Sequence, residues 1–306
     1  MAYRRKSYSS RGRKRTGRTA KRSGPRRSYA TKKRTYRKKG AMSRKRVLNL
    51  VSRKKRNGML SWSNTLPTGA SRTPAIGPAY INGASNGIFV WSPTMQSLVT
   101  GSVSNEFIDS SDRTSTTCYM RGLSETIRYQ TSSPLPWFWR RICFTMKAVL
   151  APASTAPINT ERPYVDTSNG IERFWLNLQV NDSNTYLTNV YALIFKGAVN
   201  QDWTDPIIAP LDSSRITVKY DRTITLKSGN SVGTVGEKKF WHGMNKNLVY
   251  DDDEQGSSTS TSYQSVTSKA GMGDYYIIDI FAAGAGGGSG DILRIDANST
   301  LYWHEK

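Results

Sequence analysis

The sequence predicts an all-β fold, a single double-sheet sandwich of the jelly-roll kind, preceded by a disordered cationic arm. Three observations carry that expectation. Apolar residues alternate with period two in several stretches after residue 117, as in strands whose two faces meet different surroundings. No stretch after residue 60 reads as a long amphipathic helix, which argues against a βαβ arrangement. Finally, 25 of the 45 Lys and Arg residues fall between Met1 and Arg56, where there is no Asp or Glu. Residues 57–306 hold the other 20 against all 22 acidic residues, so they sum to −2.

Residues 1–60 form the expected arm. The first 40 contain no Leu, Ile, Val or Phe, so they cannot bury enough apolar surface to offset chain entropy. They also cannot build the apolar helix face of a mitochondrial presequence. The cations come in clusters: Arg4, Arg5 and Lys6; Arg11, Arg13, Lys14, Arg15 and Arg18; Lys21, Arg22, Arg26 and Arg27; Lys32, Lys33 and Arg34; Arg37, Lys38 and Lys39. Such clusters neutralise phosphates and release counterions, giving salt-dependent affinity without sequence preference. A near-neutral body with one dense cationic tail is suited to a polyanion partner. Tyr3, Tyr8, Tyr29 and Tyr36 are interleaved, either as base-stacking rings, which favours single-stranded nucleic acid, or as spacers. The same clusters satisfy the short basic pattern of nuclear localisation signals.

At the root of the arm, Ser43 is placed to cap a short helix with Val47, Leu48, Leu50 and Val51 as its apolar stripe and Gly58 as its stop. Arg44, Lys45, Arg46, Arg53, Lys54, Lys55 and Arg56 bracket the stripe and complete the predicted nucleic-acid-binding set. The jelly-roll domain is expected over 61–306. Pro67, Gly69, Pro74, Gly77, Pro78, Gly83, Gly87 and Pro93 mark 61–100 as a linker leading into it, with the folded body starting near Ile88.

Strands follow. Ile142, Phe144, Met146, Ala148 and Leu150 share one face and Arg141, Cys143, Thr145 and Lys147 the other. Phe174, Leu176, Leu178 and Val180 repeat the alternation. Val190 to Phe195 is a continuous apolar run, read as a strand buried on both faces, and Tyr275 to Phe281 is another. Ile216, Val218, Tyr220, Ile224 and Leu226 share a parity, with a bulge expected at Asp221-Arg222. Leu293, Ile295, Ala297, Leu301 and Trp303 make the last strand, which would hold the C-terminus in a sheet. With 8 Trp, 16 Tyr and 8 Phe there is ample aromatic surface for a core. No apolar run is long enough for a transmembrane helix and no secretory h-region is present, so membrane insertion is not expected.

Catalytic signatures are missing: there is no P-loop, no G-x-S-x-G and no H-E-x-x-H. Gly284 to Gly290 is read as a loop between the last two strands. Cys118 and Cys143 are read as small buried hydrophobes, and His242 and His304 lie at spacings unsuited to a metal, so no cofactor is expected. Asp251, Asp252, Asp253 and Glu254 form the densest acidic run, and like charges in a row repel unless a cation approaches. Three readings stay open there: a divalent-ion site, a salt-bridge partner for a neighbouring subunit, or a solvated loop.

Three segments then carry a family resemblance: Tyr220 to Leu226, Lys238 to Trp241 and Asn245 to Tyr250. In that order they resemble the late strands of geminivirus and genomovirus coat proteins. The opening Met1-Ala2-Tyr3-Arg4-Arg5 and the ending Leu301 to Lys306 resemble the genomovirus (gemycircularvirus-like) version. The likeness is strongest in the arm and in 215–306 and loose over 60–210. It implies a viral jelly roll that assembles as a homo-oligomer into a small icosahedral shell around circular single-stranded DNA. It further implies an inward arm that binds the genome and engages host nuclear import receptors, placing the protein in the virion and the host nucleus. The Cys/His-rich arrangement of some geminivirus coat proteins is absent. A cellular nucleic-acid-binding protein with a basic tail on a β-sandwich is the alternative. An enzyme on a jelly roll fits less well, because metal-dependent versions need clustered His and carboxylate ligands.

Overall fold

The computed structural model of the chain describes residues 42–147, 150, 161–181 and 184–306. Helix α1 (Arg44–Val51) leads directly into β1 (Arg53–Met59), β2 (Ser61–Thr65), β3 (Ser71–Ile76), β4 (Ala79–Asn82) and β5 (Gly87–Trp91). A short ribbon, β6 (Val99–Thr100) with β7 (Val103–Ser104), precedes β8 (Thr117–Thr131) and β9 (Trp137–Met146). Then come β10 (Val165–Thr167), β11 (Gly170–Asn177), helix α2 (Asn184–Ile194), β12 (Thr217–Leu226) and β13 (Val235–Val249). A hairpin of β14 (Asp253–Gln255) and β15 (Ser258–Ser260) separates these from β16 (Asp274–Ala283) and β17 (Ile292–Glu305).

One sheet runs β1-β17-β8-β13, with β4 pairing further along β17. The facing sheet runs β12-β9-β16-β5 and continues through β11, β2 and β3. Of the eight strands β1, β5, β8, β9, β12, β13, β16 and β17, the first lies beside the last and the third beside the sixth. The fifth, fourth, seventh and second fill the other sheet in that order. This interleaving, all antiparallel, is the double Greek key of a jelly-roll sandwich.

β17 behaves as its sequence predicts. Leu293, Ile295, Ala297, Ser299, Leu301 and Trp303 turn inward and the residues alternating with them stay partly or fully exposed. β9, β11 and β16 instead are buried at nearly every position, because the second sheet is covered on its outer side too. That cover is α2 and the segment after it. Tyr186, Val190, Ile194, Phe195 and Trp203 join one apolar cluster with Ile142, Phe144, Tyr276 and Ile278. Arg140 ties the segment down, donating to the Pro206 carbonyl at 2.9 Å, the Ala209 carbonyl at 2.7 Å and Asp221 at 2.8 Å and 2.9 Å.

Four expectations are corrected. Val190 to Ile194 is not a strand but the last half of α2: Tyr186, Val190 and Ile194 recur every four residues, and that stripe is the buried one. The folded body begins at β1, not near Ile88, and 61–100 contains β2 to β5 rather than a linker. The inward residues of β1 include Lys55 and Asn57, both buried against specific partners, so hydropathy concealed the strand; Asn57 Nδ2 donates to the Ile171 carbonyl at 2.9 Å. For the same reason Gly58 does not stop a helix; it lies inside β1, and α1 ends at Val51. The β12 bulge falls at Lys219, between the Val218 and Tyr220 pairings, not at Asp221-Arg222. Ala148 lies outside the described residues. Residues 284–291 do form the loop between β16 and β17.

Between the sheets lies a closed ionic group. Arg141 on β9 donates to both oxygens of Asp279 on β16, at 2.7 Å and 2.9 Å, and to Glu125 on β8 at 2.6 Å. Arg173 on β11 donates to the other Glu125 oxygen and to Asp279, each at 3.1 Å. Ser299 and the Trp139 indole N–H supply further donors to the carboxylates, at 3.0 Å and 2.8 Å. The Arg173 guanidinium lies between Trp175, 3.6 Å from its ring centre, and Trp91 at 4.3 Å. All four charged side chains are at most 1% exposed. Burial alone would raise both carboxyls, but the two guanidiniums hold Glu125 and Asp279 below the ordinary carboxylate range.

Removing one member leaves an uncompensated buried charge. Asp279→Asn is expected to lower the unfolding free energy by about 3–5 kcal/mol, read from urea titration; a loss under about 1 kcal/mol would show that the group does not act as a unit. Glu172 behaves oppositely. Burial raises its carboxyl to about 7, against one backbone donor from Leu60. Its neutral form is favoured in the fold, so its contribution is present below about pH 4.5 and lost as pH rises through about 7. Glu172→Gln is expected to flatten the stability profile across that window and to melt higher than the parent protein above neutrality.

Candidate nucleic-acid interface

The predicted arm cations from Arg4 to Lys39, and Tyr3, Tyr8, Tyr29 and Tyr36, lie outside the described residues. What can be placed is the root. Arg44, Lys45 and Arg46 occupy the first turn of α1, whose apolar residues Leu50 and Val51 remain largely exposed. Lys54 closes the other end: its ammonium donates to the Asn49 carbonyl at 2.9 Å, a favourable place for a cation beside the free carbonyls of a helix end.

Strand parity then sorts the four consecutive cations. Lys54 and Arg56 point out of the sheet and are exposed, while Lys55 points in and is buried. The Lys55 ammonium donates to the Asp112 carbonyl at 2.7 Å and the Thr114 hydroxyl at 2.8 Å, and sits 3.1 Å from Glu305. Burial alone would raise the Glu305 carboxyl, but the Thr114 hydroxyl and the Trp303 indole N–H, with further help from Lys55, hold it down. Lys55 is therefore a structural cation tying β1 to β17 and the 112–114 segment, and it leaves the predicted binding set. Arg53 is partly committed as well, donating to the Ile108 carbonyl and lying 4.4 Å over the Phe107 ring. Arg56 has no side-chain partner among the described residues. Arg121 and Lys239 are also exposed on this sheet, outside the predicted set. Their signal was parity, since each shares a strand face with an aromatic residue, Tyr119 or Trp241.

The acidic run does not act as one group. Asp252 turns inward and takes a two-point contact from Arg113 at 2.5 Å and 3.0 Å, with that guanidinium 3.7 Å over the Tyr250 ring. Asp253 and Glu254 stay exposed at the start of the β14-β15 hairpin. The salt-bridge partner of Asp252 is thus Arg113 of the same chain. Among the described residues no three His, Cys, Asp or Glu side chains gather as a metal set.

Cys143 and His242 do meet, with Sγ 3.8 Å from both ring nitrogens. Burial pushes the thiol up to about 12 and the imidazole down to about 4, the latter helped by Arg141. A nucleophilic pair needs a thiolate beside a protonated or accepting ring, and this environment suppresses both charges. Cys118 is likewise buried, with its thiol pushed up.

Comparison with protein-family models and with curated proteins finds no match for this chain. Among the described residues no helix is long and apolar enough to cross a membrane.

The parity of β1 separates two roles that the sequence alone merges. Lys55→Gln is expected to cost about 3 kcal/mol of stability, because Glu305 loses its buried counter-charge. Arg56→Gln is expected to leave the melting temperature unchanged and to reduce the salt slope of nucleic-acid binding by about one ion. Thermal melts and titrations at several salt concentrations on both variants check the separation.

Proposed function

We propose that this chain is a capsid protein, whose jelly-roll bodies assemble into a closed shell while the cationic arms gather single-stranded DNA. The observation that carries the reading is the separation of charge. An acid-free stretch with 25 cations, the last four of them in β1, leads into a β-sandwich whose remaining charges nearly cancel. A neutral, rigid body can approach copies of itself without long-range repulsion, and the arm brings the charge that a polyanion requires. Assembly of copies would also cover strand edges such as β3 and β13 that a lone sandwich leaves open. The resemblance of 215–306 to genomovirus and geminivirus coat proteins points the same way and supplies the expectation of circular single-stranded DNA. The basic clusters fit import into a host nucleus by import receptors.

Negative-stain microscopy of the purified full chain, with and without circular single-stranded DNA, tests this. Uniform closed particles are expected, together with salt-sensitive DNA retention that falls sharply when residues 1–40 are removed. Monomers that bind DNA without assembling would refute the capsid reading in favour of a nucleic-acid-binding module.

A further inference from the structure

The outward face of the β1-β17-β8-β13 sheet has a composition unusual for a solvated surface. The strand register places its residues in rows across the sheet. The first row is Lys54, His304, Tyr119 and Asn247; the second is Arg56, Tyr302, Gly122 and Gly243, with Arg121 in the β8 irregularity beside it. The third is Gly58, Thr300, Ser124 and Trp241, and the fourth carries Asn298, Thr126 and Lys239. None of these residues is Asp or Glu. Acids begin only with the next row, Asp296 and Glu237, and there they are matched: Arg128 and Arg294 lie 3.9 Å and 3.6 Å from Asp296, and Lys239 lies 3.2 Å from Glu237. Among the described residues Lys54, Arg56 and Arg121 have no carboxylate partner, Arg121 donating instead to the Asn245 side-chain oxygen at 2.5 Å.

The rings on this face are arranged as surfaces. Trp241 is 56% exposed although it lies mid-strand. Its ring centre is 5.9 Å from that of Tyr302, and Tyr119 lies 6.0 Å from His304. Gly122 permits this: a Cβ there would come within 2.8 Å of the Trp241 ring and 2.6 Å of the His242 carbonyl. A side chain at Gly122 would lift the indole off the sheet. Local potential is positive, since His304, already held down by burial, is lowered further by Lys54 and Arg121.

One exposed and several half-buried rings set among cations without a carboxylate partner suit a ligand that offers flat apolar faces and a linked row of negative charges. We propose that this sheet face is a base-stacking platform for single-stranded nucleic acid, with Trp241, Tyr302 and Tyr119 taking unpaired bases and Lys54, Arg56 and Arg121 taking phosphates. In a duplex the base faces are stacked on each other and unavailable, so the platform selects single strands. The ligand class rests on the packaging reading above, but the site is separate from the arm and acts by a different interaction. The arm cations respond to phosphate number and salt, whereas the platform requires bases, and its share of any base preference is read by changing its rings while the arm tyrosines stay in place.

That difference makes the test. The full chain is titrated with oligothymidylate, with an abasic oligomer of equal length and with a duplex, at fixed salt. The parent protein is expected to prefer oligothymidylate to the abasic oligomer by about tenfold or more, as stacking on one or two rings would give. Trp241→Ala combined with Tyr302→Ala is expected to lower that ratio severalfold, and Trp241→Phe to retain most of it. A parent ratio of one, or a ratio that survives the double change with unaltered melting, overturns the platform and leaves the packaging reading standing. Failure to bind any of the three ligands at low salt overturns both. If the double variant does not fold, ultraviolet cross-linking of the parent protein to oligothymidylate decides. Cross-links at Trp241, Tyr302 or Tyr119 are expected, and cross-links confined to the arm tyrosines overturn the proposal.

Discussion

The four-charge group formed by Arg141, Arg173, Glu125 and Asp279 is the constraint on which the sandwich depends. Taking any one of these charges out of water alone would cost several kcal/mol, and a single pair recovers that only with near-ideal geometry. Here each carboxylate contacts both guanidiniums, and each guanidinium contacts both carboxylates. The four residues come from β8, β9, β11 and β16, so their mutual distances hold only for one alignment of one sheet over the other. A one-residue slip of any of these strands would turn its charged side chain to the opposite face. Apolar packing alone does not enforce this, because the flanking cluster of Trp137, Trp139, Trp175, Phe89 and Phe281 could be filled by similar volumes in other registers. The group therefore contributes specificity of alignment more than net stability.

The same logic of satisfied burial recurs at the edges. Lys55 with Glu305 joins β1 to β17, Arg140 with Asp221 joins β9 to β12, and Arg113 with Asp252 joins the segment before β8 to the one after β13. Buried cations paired in this way no longer contribute to the outer field. The few that remain unpaired on the β1-β17-β8-β13 face are thus conspicuous, and parity alone decides membership. Of the adjacent residues Lys54, Lys55 and Arg56, the middle one is interior structure and its neighbours belong to the surface.

Period-two alternation made β17 and part of β9 legible, because one parity is apolar and the other polar. The buried run in β16 was legible as well. α2 was misread because Val190 to Phe195 is apolar at every position, and only the spacing back to Tyr186 reveals the helical stripe. β1 was hidden for the opposite reason: its inward positions are Lys55, Asn57 and Met59, and polar residues with buried partners look like arm in the sequence. The ionic group was half visible. The alternation puts Arg141 on the face opposite Ile142, which is correct, but nothing in one strand reveals the carboxylates waiting on others. The exposed platform was missed because its members are scattered over β1, β8, β13 and β17 and become neighbours only when the register is known.

A capsid reading asks two things of one chain that conflict if given to one surface. Holding a genome of any sequence needs many charges with little geometry, while fixing strands against a shell wall needs geometry with few charges. A dense run of Arg and Lys meets the first need, since its affinity comes from released counterions and does not depend on base identity. It does not meet the second, because counterion release by itself fixes no orientation. A sheet face can, because its rows are held by the same ladder that closes the sandwich, and aromatic rings there lose little conformational freedom on binding. In this reading the near-neutral sum of the body follows from the division. Cations in excess of those needed for a few phosphates would make neighbouring bodies repel before any nucleic acid arrived, so in this reading the surplus is confined to the arm.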